Sequence, residues 1–196
     1  MIINTIFAIQ KIYGNLYSVQ FEENKPHALE QIFDDWKDPE VLFDFFEDNK
    51  EDLQSGFFGE ISVSNAIEIT MVQAEQFENQ ILKLSKQSSA NYGSPFDKLF
   101  VNLIKAPAFN NSFLNISVKA YGPKSQGKPS WLRVYAIRVD NVFIITGGAI
   151  KLTDDMSDRT HTKIEYDKLR IVVNSLKGNF LTEKSDFNFD FFQLEI

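Results

Sequence analysis

The sequence contains no cysteine, only two histidines and no long apolar run. Without cysteine the chain has no disulfide, no zinc–thiolate site and no cysteine nucleophile. His27 and His161 lie far apart along the chain, so we expect no metal site. No apolar stretch reaches the roughly 18 residues of a membrane span, and the N-terminus lacks the features of a signal peptide. We therefore expect a cytoplasmic protein that contacts no membrane and binds no cofactor.

Aromatic residues are plentiful. The chain has 196 residues, of which 43% are hydrophobic and 19 are Phe. This length corresponds to one domain or two small ones, and it is ample for a hydrophobic core.

Charge divides the chain into two unlike parts. Residues 1–78 hold 16 Asp or Glu against 4 Lys, a net charge of −12, whereas residues 98–177 hold 13 Lys or Arg against 6 acids, a net charge of +7. The whole-chain charge of −7 argues against a nucleic-acid partner, but a basic segment of this kind is typical of a nucleic-acid surface. Alternatively, each part carries its charges only to face water.

The hydrophobic pattern predicts an α+β fold. Apolar residues alternate on both sides of Gly14-Asn15, which predicts an N-terminal β-hairpin, and helical spacing follows in acidic segments and over 64–87. Strands are predicted over 113–121, 131–139 and 142–146, and a capping box at Thr162 and Glu165 opens a helix. We divide the chain at the polar break near residue 88 into an acidic hairpin-plus-helices region (1–88) and a small antiparallel sheet flanked by helices with an aromatic tail (89–196). The two regions can also share one core.

The familiar catalytic loops are absent. The sequence has no Gly-x-Ser-x-Gly elbow, no P-loop and no Gly-x-Gly-x-x-Gly dinucleotide loop. Gly147-Gly148 follows a predicted strand, and this pair indicates a place where the backbone bends or passes closely by another group.

Basic and aromatic residues concentrate in the segment from 131 to 163. Strand alternation places Arg133 and Arg138 on opposite faces, so at least one of them lies at a surface, a rim or a ligand. Cations beside an aromatic ring suit phosphate binding and base stacking. The alternative is that such an arginine pairs with a carboxylate of the acidic region.

Leu132-Arg133-Val134-Tyr135, the apolar strand from Val142 to Ile145 and the exit Lys151 resemble the RelE/ParE superfamily of bacterial toxins, in its HigB-like, phage-derived branch. The resemblance covers about residues 95–177. It implies a RelE-like module and mRNA cleavage, either on the ribosome or free, with Arg133 and Lys151 as catalytic cations.

From the residues themselves we add His161 as a catalytic acid or base, since imidazole titrates near neutral pH. The candidate substrate-binding residues are Tyr135, Arg138, Arg159 and Lys163.

The resemblance thus implies a toxin of a type II toxin–antitoxin or phage-defence system, a metal-independent endoribonuclease whose partners are mRNA or the ribosome and a helix-turn-helix antitoxin. The alternative is a non-catalytic interaction module that binds a partner through its acidic helices or its aromatic edge strand. A third hypothesis is a DNA-mimic inhibitor that acts through the acidic region. The acidic region either covers the basic face or is an ordinary structural extension, and the apolar residues of its helices favour the extension.

Overall fold

The computed structural model describes residues 6–55, 58–87, 93–103, 116–124, 129–153 and 160–194. Within these ranges the protein is α+β, with a seven-stranded, mostly antiparallel sheet and five helices. The strands are β1 (Ala8–Tyr13), β2 (Leu16–Gln20), β3 (Phe100–Asn102), β4 (Ser117–Tyr121), β5 (Leu132–Val139), β6 (Val142–Ile150) and β7 (Phe191–Gln193). The helices are α1 (Ala28–Lys37), α2 (Pro39–Asp48), α3 (Lys50–Leu53), α4 (Val63–Ser85) and α5 (Thr160–Gly178).

The sheet joins strands from both ends of the chain in the order β3-β4-β5-β6-β2-β1-β7. Its neighbours are antiparallel except β2 and β6, which run parallel with Leu16 opposite Phe143. Strands β1 and β2 pair across a tight turn in which Gly14 has a φ of 55°, a conformation that glycine adopts without strain. Strands that precede residue 88 therefore lie between β6 and β7.

Two hydrophobic layers cover the two faces of the sheet. One layer lies beneath α1, α2 and α4 and includes the buried rings of Phe33, Phe46 and Phe77. The other lies beneath α5 and the C-terminal segment, where Tyr17 donates a hydrogen bond to the carbonyl of Phe187 at 2.8 Å. Residues on both sides of position 88 contribute to each layer.

The acidic helices begin at well-formed caps. The Nδ1 atom of His27 accepts a hydrogen bond from the amide of Glu30 at the start of α1, and the carboxylate of Asp38 accepts two amides at the start of α2. Exposed acids of α2 face solvent while Leu42 and Phe46 are buried. The apolar sides of these helices thus belong to the hydrophobic core.

Buried hydrogen bonds attach α4 to the start of β5. The indole Nε1 of Trp131 donates to the hydroxyl of Thr70 at 2.9 Å, and the hydroxyl of Ser130 donates to the side chain of Gln73 at 2.8 Å. None of the helices in the described ranges combines the length and apolar character that crossing a membrane requires.

Candidate active site

A crevice opens where β2 leaves the edge of β6. Strand β2 pairs with β6 only from Phe143 to Ile145, and β6 continues to Ile150. Helix α1 packs against β6 and β2, and α5 packs against β6 and β5. A cavity of about 280 Å³ lies between the two helices. Its lining includes Asp35, Trp36, Gly147, Gly148, Glu165 and Lys168.

The floor of the crevice is an irregularity in β6. Tyr135 lies opposite Gly147 while Ala136 lies opposite Ile145, so β6 holds one residue more than β5 at this point. Such a bulge re-aims the backbone locally. A Cβ atom on Gly147 would overlap the carboxylate of Glu165, and one on Gly148 would lie 3.0 Å from the indole of Trp36. The two glycines therefore allow both helices to approach the strand.

Glu165 is the most unusual side chain in the crevice. Its Oε1 atom is 2.6 Å from Nζ of Lys168, and its Oε2 atom is buried with no hydrogen-bond partner in the described part of the chain. Burial raises the pKa of Glu165 to about 7, although Lys168 and the amide of Gly148 stabilise the charged form. This carboxyl group can therefore take up and release a proton near neutral pH.

The outer part of the same cavity is polar. Asp35 accepts a hydrogen bond from the amide of Gln31 at 2.7 Å, and burial raises the pKa of Asp35. Glu22 and Lys25 also line this part of the cavity. The ammonium group of Lys168 lies 5.6 Å from the ring of Phe21, so its position is set by a ring as well as by Glu165.

The crevice continues past Trp36 into an apolar part. A second cavity of about 220 Å³ shares Asp35, Trp36, Gly148 and Glu165 with the first. It is also lined by His161, which is one helical turn before Glu165 on α5. Side chains four residues apart lie on the same face of a helix, so imidazole and carboxyl group line one crevice.

The imidazole of His161 is held in place. Its Nε2 atom lies 3.1 Å from the carbonyl oxygen of Ile150, which can only accept, so Nε2 carries the proton of this hydrogen bond. The ring also packs edge-on against Phe45 of α2 at 5.2 Å between centroids.

The three predicted catalytic residues lie at the same end of the β5–β6 hairpin, but their side chains do not meet on one exposed face. Lys151 directly follows Ile150 and is half-buried, and its amide donates to the carbonyl of Trp131. Arg133 is only 9% exposed, and its Nη1 atom donates to the carbonyls of Ser130 and Leu132 at 2.5 and 2.8 Å.

The predicted substrate-binding residues are scattered. Tyr135 is fully buried beneath α5, and burial raises its pKa. Arg138, at the far end of β5, pairs with Asp97 at 3.0 Å. Lys163 is exposed on α5, and Arg159 lies outside the described residues. An arginine–carboxylate pair thus exists, although Asp97 lies outside the acidic region.

Sequence reasoning did not identify Asp35, Glu165 or Lys168 as site residues. The predicted capping box does not describe Glu165, because α5 begins at Thr160 and Glu165 lies inside it. A usable signal was present, since Glu165 precedes Leu169 and Val172 at the spacing of their apolar stripe. A carboxylate at such a position is either paired or functional.

Comparison with protein-family models, curated proteins and solved structures finds no match for this chain.

Proposed function

We propose that the chain is a toxin-type endoribonuclease whose active site is the crevice between α1 and α5. The observation that carries this proposal is that His161 and Glu165 line the same cavity, with the pKa of Glu165 at about 7. A general base works best when its pKa is near the operating pH, and an imidazole is the usual second proton-transfer group. The RelE-like arrangement is part of the proposal, supported by the consecutive antiparallel strands β4, β5 and β6 followed by α5.

The reaction needs one proton acceptor and one proton donor. The carboxylate of Glu165 removes the proton of an RNA 2′-hydroxyl, and the 2′-oxygen then forms a bond to the adjacent phosphorus. The bond from phosphorus to the 5′-oxygen breaks, and this oxygen takes a proton from Nδ1 of the protonated His161 ring, whose Nε2 proton stays hydrogen-bonded to the carbonyl of Ile150. The products are a 2′,3′-cyclic phosphate and a 5′-hydroxyl, with no oxidant, reductant or added water.

Charge sets the direction from which RNA would approach. The outer part of the crevice carries Glu22 beside Lys25, whereas His161 lines only the apolar part. Lys151 directly follows β6, and the exposed Lys163 lies on α5 two residues after His161. We therefore place the phosphate backbone at the α5 N-terminal end, with the half-buried Phe45 offering a ring to a base.

The experiment compares cleavage by the wild-type protein with that by Glu165→Gln and His161→Asn. A labelled single-stranded RNA is incubated with protein alone and with ribosomes carrying the same RNA, and the 3′ ends are analysed for cyclic phosphate. Each variant should lower the cleavage rate by about 10²-fold or more, the usual contribution of a proton-transfer group. RNA with methylated 2′-oxygens should stay intact.

The matched control is Glu68→Gln, which removes an exposed carboxylate from α4. This variant should cleave as the wild type does. Cleavage by Glu165→Gln at the wild-type rate would contradict the proposal, and so would a wild-type protein that leaves the RNA intact in both assays.

The interaction module remains a second candidate because the aromatic edge strand is exposed. Strand β7 forms one edge of the sheet and pairs with β1, and Phe191 exposes half of its side chain. An edge of this kind can receive a strand from a partner. If this candidate is right, the wild-type protein leaves RNA intact and binds one defined host protein. The Phe191→Lys variant should no longer bind that protein, whereas the Phe43→Lys variant, changed on α2, should still bind it.

A further inference from the structure

The sheet carries an exposed aromatic ring backed by an arginine. Tyr121 of β4 and Arg133 of β5 are directly opposite in the antiparallel register, and Arg133 lies opposite Ala149 of β6. The guanidinium carbon of Arg133 is 4.2 Å from the centre of the Tyr121 ring, and Nζ of Lys119 is 5.7 Å from it. Tyr121 itself is 45% exposed.

Arg133 holds this ring in position rather than acting as a mobile surface cation. Its Nη1 atom is committed to the carbonyls of Ser130 and Leu132, and the side chain is buried. The ring of Tyr121 therefore rests on a fixed, planar, charged group. Helix α5 packs on β5 and β6, whereas the ring on β4 remains exposed.

Lysine and arginine outnumber acids in the strands around this ring. Over residues 100–103, 116–124 and 129–153 the sequence holds five Lys or Arg and one acid, Asp140. Asp140 and Arg138, which pairs with Asp97, both lie at the opposite end of β5 from Arg133, so excluding them leaves four of the five cations and no acid. Lys119 is half-buried beside the ring, and Lys124 is exposed three residues after Tyr121.

We infer that Tyr121, Lys119 and Arg133 form a docking site for single-stranded RNA. A base stacks on the open side of the Tyr121 ring, and the neighbouring phosphates pair with Lys119 and Lys124. An aromatic platform among cations is how proteins bind single strands without reading their sequence. The inference deepens the proposed nuclease and rests on it for the identity of the ligand, but the binding itself requires neither Glu165 nor His161.

Binding is measured by fluorescence anisotropy with a labelled single-stranded RNA whose 2′-oxygens are methylated, so that it stays uncleaved. Tyr121→Ala should weaken binding between about fivefold and one hundredfold, the usual range for loss of one stacked base. Tyr121→Phe should bind as the wild type does, because it keeps the ring. Lys119→Gln should weaken binding and lower the slope of affinity against salt by about one phosphate contact.

The matched control is Tyr13→Ala, which removes a ring that is 53% exposed at the end of β1. Its RNA affinity should stay at the wild-type value. Equal affinities of Tyr121→Ala and wild type would overturn the inference, as would the absence of wild-type binding at low salt. Competition by duplex RNA as effective as by single strands would also overturn it, because paired bases cannot stack on the ring.

The inference and the proposed function can fail separately. If the wild-type protein binds RNA through Tyr121 but leaves cleavable RNA intact, the nuclease is wrong and the docking site stands. If the protein cleaves RNA while Tyr121→Ala changes neither the affinity nor KM, the docking site is wrong and the nuclease stands.

Discussion

The carboxylate of Glu165 occupies the space that a side chain on Gly147 would fill. This relationship couples the bulge of β6 to helix α5, because the buried carboxyl group can approach the strand only where it has no side chain. It also explains the desolvation that raises the pKa of Glu165. The buried position of Glu165 therefore depends on Gly147.

Gly147→Ala should displace Glu165 and destabilise the protein. The added Cβ overlaps a buried carboxylate that is paired with Lys168, so either this contact is lost or the helix that carries Leu169 and Val172 must move. Overpacking of this kind costs about 1–3 kcal/mol. We expect that loss in the free energy of unfolding measured with urea, together with a fall in RNA cleavage.

Gly178→Ala provides the control for this substitution. A Cβ there meets no atom within 4 Å, so stability should be unchanged or slightly higher. The double variant Gly147→Ala/Glu165→Ala should recover part of the stability, because the overlapping group has gone. If the two substitutions are additive, the predicted overlap is wrong.

The stability of the protein should depend on pH through Glu165. Its folded pKa is about 7 against an ordinary value of 4.5, so the folded state keeps a proton that the unfolded state has lost between these values. Stability from this group is present below pH 4.5 and falls as the pH rises to about 7, by about 3 kcal/mol in total. Glu165→Gln should remove this fall.

The comparison of variants isolates Glu165 from other titrating groups. Burial raises the pKa of Asp35, which adds a change of the same sign, and lowers the pKa of His27, which adds one of the opposite sign. Urea denaturation at several pH values between 4.5 and 8 gives the difference between wild type and Glu165→Gln. A difference that stays constant over this range would contradict the raised pKa, and Glu68→Gln should follow the wild-type curve.

Local patterns in the sequence predict individual helices and strands, but they do not predict how these elements pack together. The helix expected over 64–87 and the strands expected over 131–139 and 142–146 correspond to α4, β5 and β6, because apolar periodicity and turn residues are local. The parallel pairing of β2 with β6 joins residues more than 120 positions apart, and no local pattern encodes it.

The crevice could not be predicted from the sequence for the same reason. Asp35 and Lys168 approach each other only after α1 and α5 pack on opposite faces of the sheet. Arg133 shows the converse, since the family resemblance implied a catalytic cation that contacts RNA. The carbonyls of Ser130 and Leu132 and the ring of Tyr121 instead hold it in a buried place, and only the register of β4 and β5 brings that ring to it.

A fragment of residues 93–196 should not fold cooperatively. Removing the preceding residues deletes β1 and β2 from the middle of the sheet and uncovers the face on which α1 and α4 pack. Buried side chains such as Leu132, Val134 and Phe143 would then meet water. Circular dichroism during heating should show no sharp transition, whereas the full chain should show one. A fragment that unfolds cooperatively would mean that the acidic region is an independent cover rather than part of the core.

Arg133→Ala should weaken the fold, and this separates two explanations of any loss of toxicity. The substitution leaves two carbonyls without their donor and removes the support of the Tyr121 ring. Hydrogen bonds from a charged donor contribute about 1.5–3 kcal/mol each, so the free energy of unfolding should fall by at least about 2 kcal/mol. Arg138→Ala, which breaks a half-exposed pair with Asp97, should cost less than about 1 kcal/mol. If Arg133→Ala abolishes growth arrest while keeping wild-type stability, Arg133 itself contacts the RNA; if stability falls as expected, Glu165→Gln is the variant that reports on the chemistry.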